Sequence, residues 1–184
     1  MPSKKDTSKF QTTTVRSLRL GIAFTIIFAL STLIYKAWKL LTPDILQQRF
    51  FIAIGLILIH MVLLVMANKS TNNFRTYKII LWAQTISFLA LAGYAIYSKR
   101  GMASNAVVLF LIPIIISSLQ RRGKTLFITT TLAATVYSAS AITYFRHFPS
   151  EGYKVELYGG LLFYCAVFFV IAALLWVLIK SKDW

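Results

Sequence analysis

Residues 109–137 read LFLIPIIISSLQRRGKTLFITTTLAATVY, and this stretch decides the fold of the chain. It is apolar in its first half, is interrupted by Arg121, Arg122, Gly123 and Lys124, and then continues with apolar and hydroxyl residues. A helix at the surface of a soluble domain would show a regular polar stripe, and this stretch has none. It predicts two transmembrane helices joined by a short basic turn. We expect Arg121, Arg122 and Lys124 to set the topology and to lie among lipid headgroups.

The composition of the whole chain indicates the same class. Of its 184 residues, 58% are hydrophobic and 14% are charged, whereas a soluble domain is about 45–50% apolar and about 25% charged. Several uncharged runs reach about 20 residues, which is enough to cross a hydrocarbon core of about 30 Å. We therefore predict an all-α, polytopic membrane protein.

The apolar runs divide the chain into six predicted transmembrane helices. The first 17 residues are polar and basic, and we expect a disordered cytoplasmic tail there. A six-helix transmembrane bundle over residues 18–180 follows, and residues 181–184 form a cytoplasmic end. The predicted helices cover residues 18–41, 47–68, 77–98, 102–120, 125–146 and 155–180.

Positive charge orients these helices. Of the 20 lysines and arginines, thirteen fall on the side that holds both termini and seven on the other. Because cytoplasmic loops carry the excess of basic residues, both termini are predicted to be cytoplasmic in a multi-pass protein of the plasma (inner) membrane. The net charge of +15 would also suit nucleic acid. The basic residues lie in clusters between apolar runs, however, so we expect membrane lipids as partners and no nucleic acid.

The few ionisable and thiol groups restrict the chemistry. None of the five acidic residues lies within one of the uncharged apolar runs, whereas proton-coupled transporters and intramembrane metalloenzymes usually need a carboxylate near the midplane. A pair of carboxylates for acid–base catalysis is also missing. Cys165 is the single cysteine, which excludes an intrachain disulfide and a cysteine-based metal site. We predict a chain with no catalytic residues, no metal and no cofactor.

His60 is the ionisable residue beside the midpoint of the second predicted helix. An ionisable group at that depth is a functional candidate, for sensing pH, binding a ligand or ligating haem. The alternative is a neutral imidazole that is hydrogen-bonded to another helix. Gln84, at a similar depth in the third helix, is the predicted partner.

The fifth predicted helix is rich in hydroxyl groups. Thr131, Thr135 and Ser138 follow one another at spacings of four and three, which places them on one face. Such a face packs closely against a neighbouring helix, so we predict helix packing, with a polar cavity as the alternative. Tyr137 lies beside that face and could add a polar tip to a ligand site.

The fourth predicted helix contains Pro113. A proline in mid-helix frees the carbonyl four residues earlier, so we predict a kink at this position. Asn105, near the outer end of the same helix, is a further candidate for ligand binding.

The stretch quoted first resembles a pattern in the six-helix N-terminal membrane sensor regions of bacterial histidine kinases and diguanylate cyclases. There, a fourth helix with a proline is followed by a short arginine–glycine turn and by a fifth helix rich in small residues. The residues that carry the resemblance are Phe110, Pro113, Ile114, Ser117, Leu119, Arg121, Arg122, Gly123 and Tyr137.

The resemblance implies a sensor module that relays a membrane or small-ligand signal through its last helix. The receiver would be a cytoplasmic output domain or signalling partner, and the module could act as a homodimer. The sequence has no phosphoacceptor histidine motif and no ATP-binding region, so any kinase activity would come from a fused or partner domain. Two alternatives stay open, namely an accessory subunit of a membrane complex and a small transporter, with a lipid-modifying enzyme as a more remote one.

Overall fold

The structure, a computed structural model, describes residues 4–39, 42–69, 73–98, 105–147 and 154–181. These residues form helices joined by short turns, and none of them forms a strand. In chain order the elements are α1 (Lys4–Ala37), α2 (Pro43–Lys69), α3 (Phe74–Ser98), a 3₁₀ helix (Asn105–Phe110), α4 (Leu111–Ser118), α5 (Gly123–His147) and α6 (Lys154–Ser181).

Several of these helices have the length and composition of membrane spans. Within the described ranges, five segments are long and apolar enough to cross a membrane: Thr7–Ala37, Pro43–Lys69, Phe74–Ser98, Gly123–His147 and Gly159–Ser181. The apolar segment Asn105–Ser118 is shorter and extends over only about 24 Å. The all-α class and the multi-pass membrane character predicted from composition are therefore confirmed.

The chain forms two compact units, Met1–Gln84 and Thr85–Trp184, and the division falls within α3. In the first unit, α1 and α2 are antiparallel. The side-chain amide of Gln11 donates to the carbonyl of Ala67 (3.3 Å). At the opposite end of the pair, the guanidinium of Arg49 lies 5.7 Å from the centre of the Tyr35 ring.

The seam between α1 and α2 follows a heptad pattern. Buried residues of α2 are spaced alternately by four and three, and those of α1 by three, four or seven, which is the spacing that keeps one face against a partner helix. On α1 most of them are small and on α2 they are mixed. They are Thr7, Thr14, Leu18, Gly21, Thr25 and Thr32 on α1, and Arg49, Ala53, Leu56, His60, Leu63 and Ala67 on α2.

The disordered tail predicted for residues 1–17 is wrong from Lys4 onward, because α1 begins at Lys4. Thr14 and Ser17 are buried, and the ring of Phe10 lies 4.7 Å from that of Phe74 on α3. Threonine and serine give this segment a polar composition, but they are also small and recur on one helical face. Thr7 and Thr14 therefore pack in the seam, where a hydroxyl group can donate to a carbonyl of its own helix, as Thr14 does to Phe10 (2.8 Å).

The second unit packs around aromatic rings. Phe110 of the 3₁₀ helix, Tyr137 of α5, and Tyr164 and Phe168 of α6 form an aromatic cluster with ring centres 5.7 to 5.9 Å apart. Edge-to-face and tilted contacts at this separation are favourable beyond the area they bury. Alanines of α3, α5 and α6, among them Ala133, complete the core between the rings.

Pro113 changes the fourth predicted helix in a way that sequence did not predict. It is the third residue of α4, and the six residues before α4 form the 3₁₀ helix. A proline in the first turn of an α-helix removes an N–H that would have no intrahelical partner there. The fourth predicted helix, over residues 102–120, is therefore divided into a 3₁₀ helix and an α-helix that meet at Leu111, and the kink at Pro113 stays a prediction. Residues 102–104 lie outside the described part.

Helix α6 is held in its unit by a narrow stripe. Leu161, Phe168 and Ala172 are buried there, and they share one face at spacings of seven and four. Seven other large apolar residues of α6 are exposed: Leu162, Phe163, Phe169, Val170, Leu174, Val177 and Leu178. A surface of this kind suits contact with lipid or with another protein.

Candidate functional site

Four residues from three helices of the first unit meet in what we call the polar cluster: Ser17 and Gly21 of α1, His60 of α2 and Gln84 of α3. All four are buried, and His60 and Gln84 are fully so. Polar side chains at such positions are expensive to bury unless they are hydrogen-bonded, so their partners define what the cluster can do.

Gln84 and Ser17 exchange two hydrogen bonds. The Ser17 hydroxyl donates to Gln84 Oε1 (3.0 Å), and Gln84 Nε2 donates to the carbonyl of Ser17 (3.0 Å). The two bonds use both ends of the side-chain amide, so its orientation is defined by the network. They tie α3 to α1 at the depth of the cluster.

The His60 ring is oriented by its own helix. Its Nδ1 lies 2.7 Å from the carbonyl of Leu56. A carbonyl can only accept, so Nδ1 carries a proton and, in the neutral ring, Nε2 is the acceptor nitrogen. The opposite edge of the ring faces Gly21, where a Cβ would lie 2.8 Å from His60 Cδ2 and 3.0 Å from His60 Nε2.

Gly21 makes the cluster possible. A Cβ at this position would also lie 2.9 Å from Gln84 Nε2. All three separations are shorter than the 3.4–4 Å of ordinary van der Waals contact. The absence of a side chain lets the α1 backbone approach both polar side chains. The structure thus brings the predicted pair, His60 and Gln84, to the same glycine.

The arrangement is that of a helix-packing site. His60 occupies a seam position, and its ring is bonded to its own helix and closely packed. This geometry favours the interpretation of His60 as a structural imidazole, and its roles in sensing or ligand binding stay hypotheses. Among the described residues, no group of three or more histidine, cysteine or acidic side chains could hold a metal ion.

The packing face predicted on α5 requires correction. Thr131 and Thr135 are exposed, and their hydroxyls donate to carbonyls of α5 itself. Ser138 is partly buried, with its oxygen 3.7 Å from Cys165 Sγ. Thr residues can satisfy their hydroxyl groups within the helix, so they do not need a partner helix. The buried face is instead formed by Leu126, Thr129, Thr130, Ala133, Tyr137, Ala141 and Tyr144.

The other predicted ligand candidates lie in different surroundings. Tyr137 is fully buried in the aromatic cluster, and within the part of the chain that the structure describes its hydroxyl has no hydrogen-bond partner. Asn105 is exposed at the start of the 3₁₀ helix. An exposed amide and a fully buried phenol do not line a common surface site.

The basic turn between α4 and α5 has two structural features. Arg121, Arg122 and Lys124 are exposed, and Arg121 has a φ of 50°, in the left-handed region. Gly123 lies against the indole of Trp176 on α6, because a Cβ there would be 3.1 Å from two of its ring carbons. The turn is therefore in contact with the last turns of α6.

Sequence reasoning missed Ser17 and Gly21. The available signal was the spacing of small residues, since Ser17, Gly21 and Thr25 follow one another every four residues. Small residues at this spacing are typical of close helix contacts in membranes. They were missed because Ser17 was assigned to a disordered tail.

Comparison of the chain with known protein families, with curated proteins and with solved structures found no match. A functional proposal therefore depends on the residues and their geometry.

Proposed function

We propose that this protein is an integral membrane sensor module that relays a membrane or small-ligand signal through α6 to a cytoplasmic output domain or partner. The observation that carries the proposal is the contact between Gly123, at the start of α5, and the Trp176 indole of α6. It joins the basic turn to the helix that leads to the C-terminal end.

The packing of α6 supports a relay by helix movement. Three residues of this helix, Leu161, Phe168 and Ala172, are buried, and seven of its large apolar side chains are exposed. A shift of about 1 to 2 Å along its neighbours, as is typical of signalling helices, would move the contacts that Tyr164 and Phe168 make with Tyr137. Because Trp176 rests on Gly123, a movement of the turn would be passed directly to α6.

The proposal includes a topology of six spans with both termini in the cytoplasm of the plasma (inner) membrane. The segment Asn105–Ser118, continued by the residues on either side of it, would be the sixth span, and the excess of basic residues on the side of the termini supports the orientation. Five spans would put the termini on opposite sides. Reporter fusions at the two ends distinguish these topologies, because both ends must report the cytoplasm if the proposal is right.

The relay is tested by a fusion. A kinase output domain joined after Lys182 should show an activity that changes with pH, osmolarity or lipid composition. Gly123→Ala should alter this output, because its new Cβ would push the Trp176 indole. Gly159→Ala is the matched control, since no atom outside the immediate chain lies within 4 Å of a Cβ there. Equal outputs from both variants and the parent under every condition would refute the relay.

His60→Ala in the same fusion addresses the site of sensing. If His60 detects the signal, the variant loses the response and keeps the basal output. If His60 is only a packing residue, the response persists, or the fusion loses stability as a whole. A thermal unfolding measurement on the variant separates the last two outcomes.

A second candidate function is that of an accessory subunit in a membrane complex, and the exposed apolar face of α6 favours it. In this case, α6 would be covered by a partner protein. Crosslinking from Leu174 in native membranes distinguishes the candidates, because an accessory subunit gives one discrete protein adduct in nearly all copies. A free sensor module gives adducts with lipid or with a second copy.

A further inference from the structure

The first half of α1 carries an exposed basic stripe opposite its packed face. We define the basic stripe as Lys9, Arg16 and Arg19, all of which are exposed. At 100° per residue, these three lie within about 80° of one another and nearly opposite Thr14 and Leu18 of the buried seam. The side chains therefore project away from α2 as an ordered array, where the sequence had predicted a disordered tail.

The neighbouring helices place further cations at the same end of the first unit. The contacts of Gln11 with Ala67 and of Phe10 with Phe74 bring the end of α2 and the start of α3 level with Lys9. Lys69 and Arg75 are exposed there, and the Lys78 ammonium lies 4.4 Å from the centre of the Phe74 ring.

Few acidic residues are available to neutralise this charge. Asp6 is the only acid in the first 43 residues, and its side chain lies outside the described part; none occurs between Asp44 and Glu151. Asp44 lies in the first turn of α2, at the opposite end of the antiparallel pair. The basic end of the first unit thus has a net positive charge, and it borders helices that are apolar enough to cross a membrane.

We propose that the basic stripe binds the headgroups of anionic phospholipids. Arg16 and Arg19 lie in the turn just before the uncharged part of α1, which places them at the boundary between hydrocarbon and water. Lys9 lies about 10 Å further along the helix, on the aqueous side. A basic residue near an anionic leaflet increases membrane affinity by about fivefold, and this attraction falls off within a Debye length of about 8 Å from the membrane surface. This surface is independent of the proposed relay and would exist in an accessory subunit as well.

The test measures lipid preference in reconstituted membranes. Spin-labelled phosphatidylglycerol and phosphatidylcholine are added in turn to the full chain, and the fraction of each lipid that is immobilised at the protein is compared. Lys9→Gln/Arg16→Gln should reduce the preference for phosphatidylglycerol at least about fivefold at moderate salt. The swap Lys9→Arg/Arg16→Lys retains both charges and should retain the preference. Helix content and thermal unfolding should stay unchanged, since both side chains are exposed.

Lys36→Gln/Lys39→Gln is the positional control. It removes the same charge from exposed residues at and just after the other end of α1, which precede Asp44 in the sequence, and should reduce the preference by less than half as much. Equal losses from both double variants would overturn the proposal, because charge alone, and not the stripe, would then select the lipid. An unchanged lipid preference in the stripe variant would also overturn the proposal. The basic stripe would then be a binding surface for an acidic protein. Competition by millimolar inorganic phosphate would show that the stripe binds free anions and would equally contradict a lipid surface.

Discussion

Replacing Gly21 with alanine should destabilise the first unit through the polar cluster. The added Cβ would lie 2.8 Å from His60 Cδ2 and 2.9 Å from Gln84 Nε2. Gln84 cannot retreat freely, because its Nε2 donates to the carbonyl of Ser17. Overpacking in a close-packed interior costs about 1–3 kcal/mol. The higher helix propensity of alanine returns about 1 kcal/mol, so the net loss should be about 0–2 kcal/mol.

Gly55→Ala is the matched control for this substitution. Gly55 also lies within a helix and a candidate span, but nothing lies within 4 Å of a Cβ built on it. The propensity effect is common to the two variants, so their difference isolates the clash. We expect Gly21→Ala to be less stable than Gly55→Ala by about 1–3 kcal/mol. Titration with sodium dodecyl sulfate in mixed micelles, followed by circular dichroism, measures both free energies of unfolding.

A double-mutant cycle identifies the partner in the clash. If the new methyl group presses on the imidazole, Gly21→Ala should be far less harmful in a His60→Ala background, with a coupling energy of about 1–2 kcal/mol. Two results would refute the reasoning. One is a Gly21→Ala variant as stable as Gly55→Ala, and the other is strict additivity with both His60→Ala and Gln84→Ala.

Three further outcomes follow from the described geometry. Gln84→Leu should lower the free energy of unfolding by about 1 kcal/mol, since it removes both hydrogen bonds to Ser17 at roughly 0.6 kcal/mol each in a membrane interior. In the same unfolding assay, Ser17→Ala should lose about half as much stability. An unchanged stability in both variants would contradict the hydrogen-bond network. Arg121→Gly should raise stability by about 1 kcal/mol because glycine relieves the left-handed backbone, whereas Arg122→Gly should not, and identical effects would disprove strain at Arg121. His60→Ala should leave membrane insertion unchanged, because alanine makes α2 more apolar. Alkaline extraction of membranes measures insertion, and release of the variant from the membrane would contradict the prediction.

The limits of sequence-based prediction are clearest on α1 and α5. Thr14 and Thr131 each end a run of three threonines, yet Thr14 is buried and Thr131 is exposed. In a membrane protein both lipid-facing and core-facing positions are apolar, so hydropathy does not distinguish the packed face of a helix. Threonine adds to the ambiguity, because its hydroxyl can bond to its own helix in either environment.

The polar cluster was partly predictable. His60 and Gln84 stood out because a histidine and a glutamine inside apolar runs are rare, and their helical positions implied similar depths. The role of Gly21 was not predictable from the residue itself, since a glycine permits close packing only where side chains of other helices approach it. The contact of Gly123 with Trp176 was hidden for the same reason, and the aromatic cluster depends on how the 3₁₀ helix, α5 and α6 pack.

The amino-acid sequence by itself determined the class of this protein. Apolar runs of about 20 residues, few acids and clustered basic residues specify membrane helices, because transfer of a side chain between water and hydrocarbon is a property of the residue alone. The tertiary structure decided which faces of those helices are buried. It also decided that the polar N-terminal segment is helical and that one glycine lies against both His60 and Gln84. These features arise from the fit of small against large side chains on different helices. Such a fit is a property of pairs of residues and cannot be read from one position of the sequence.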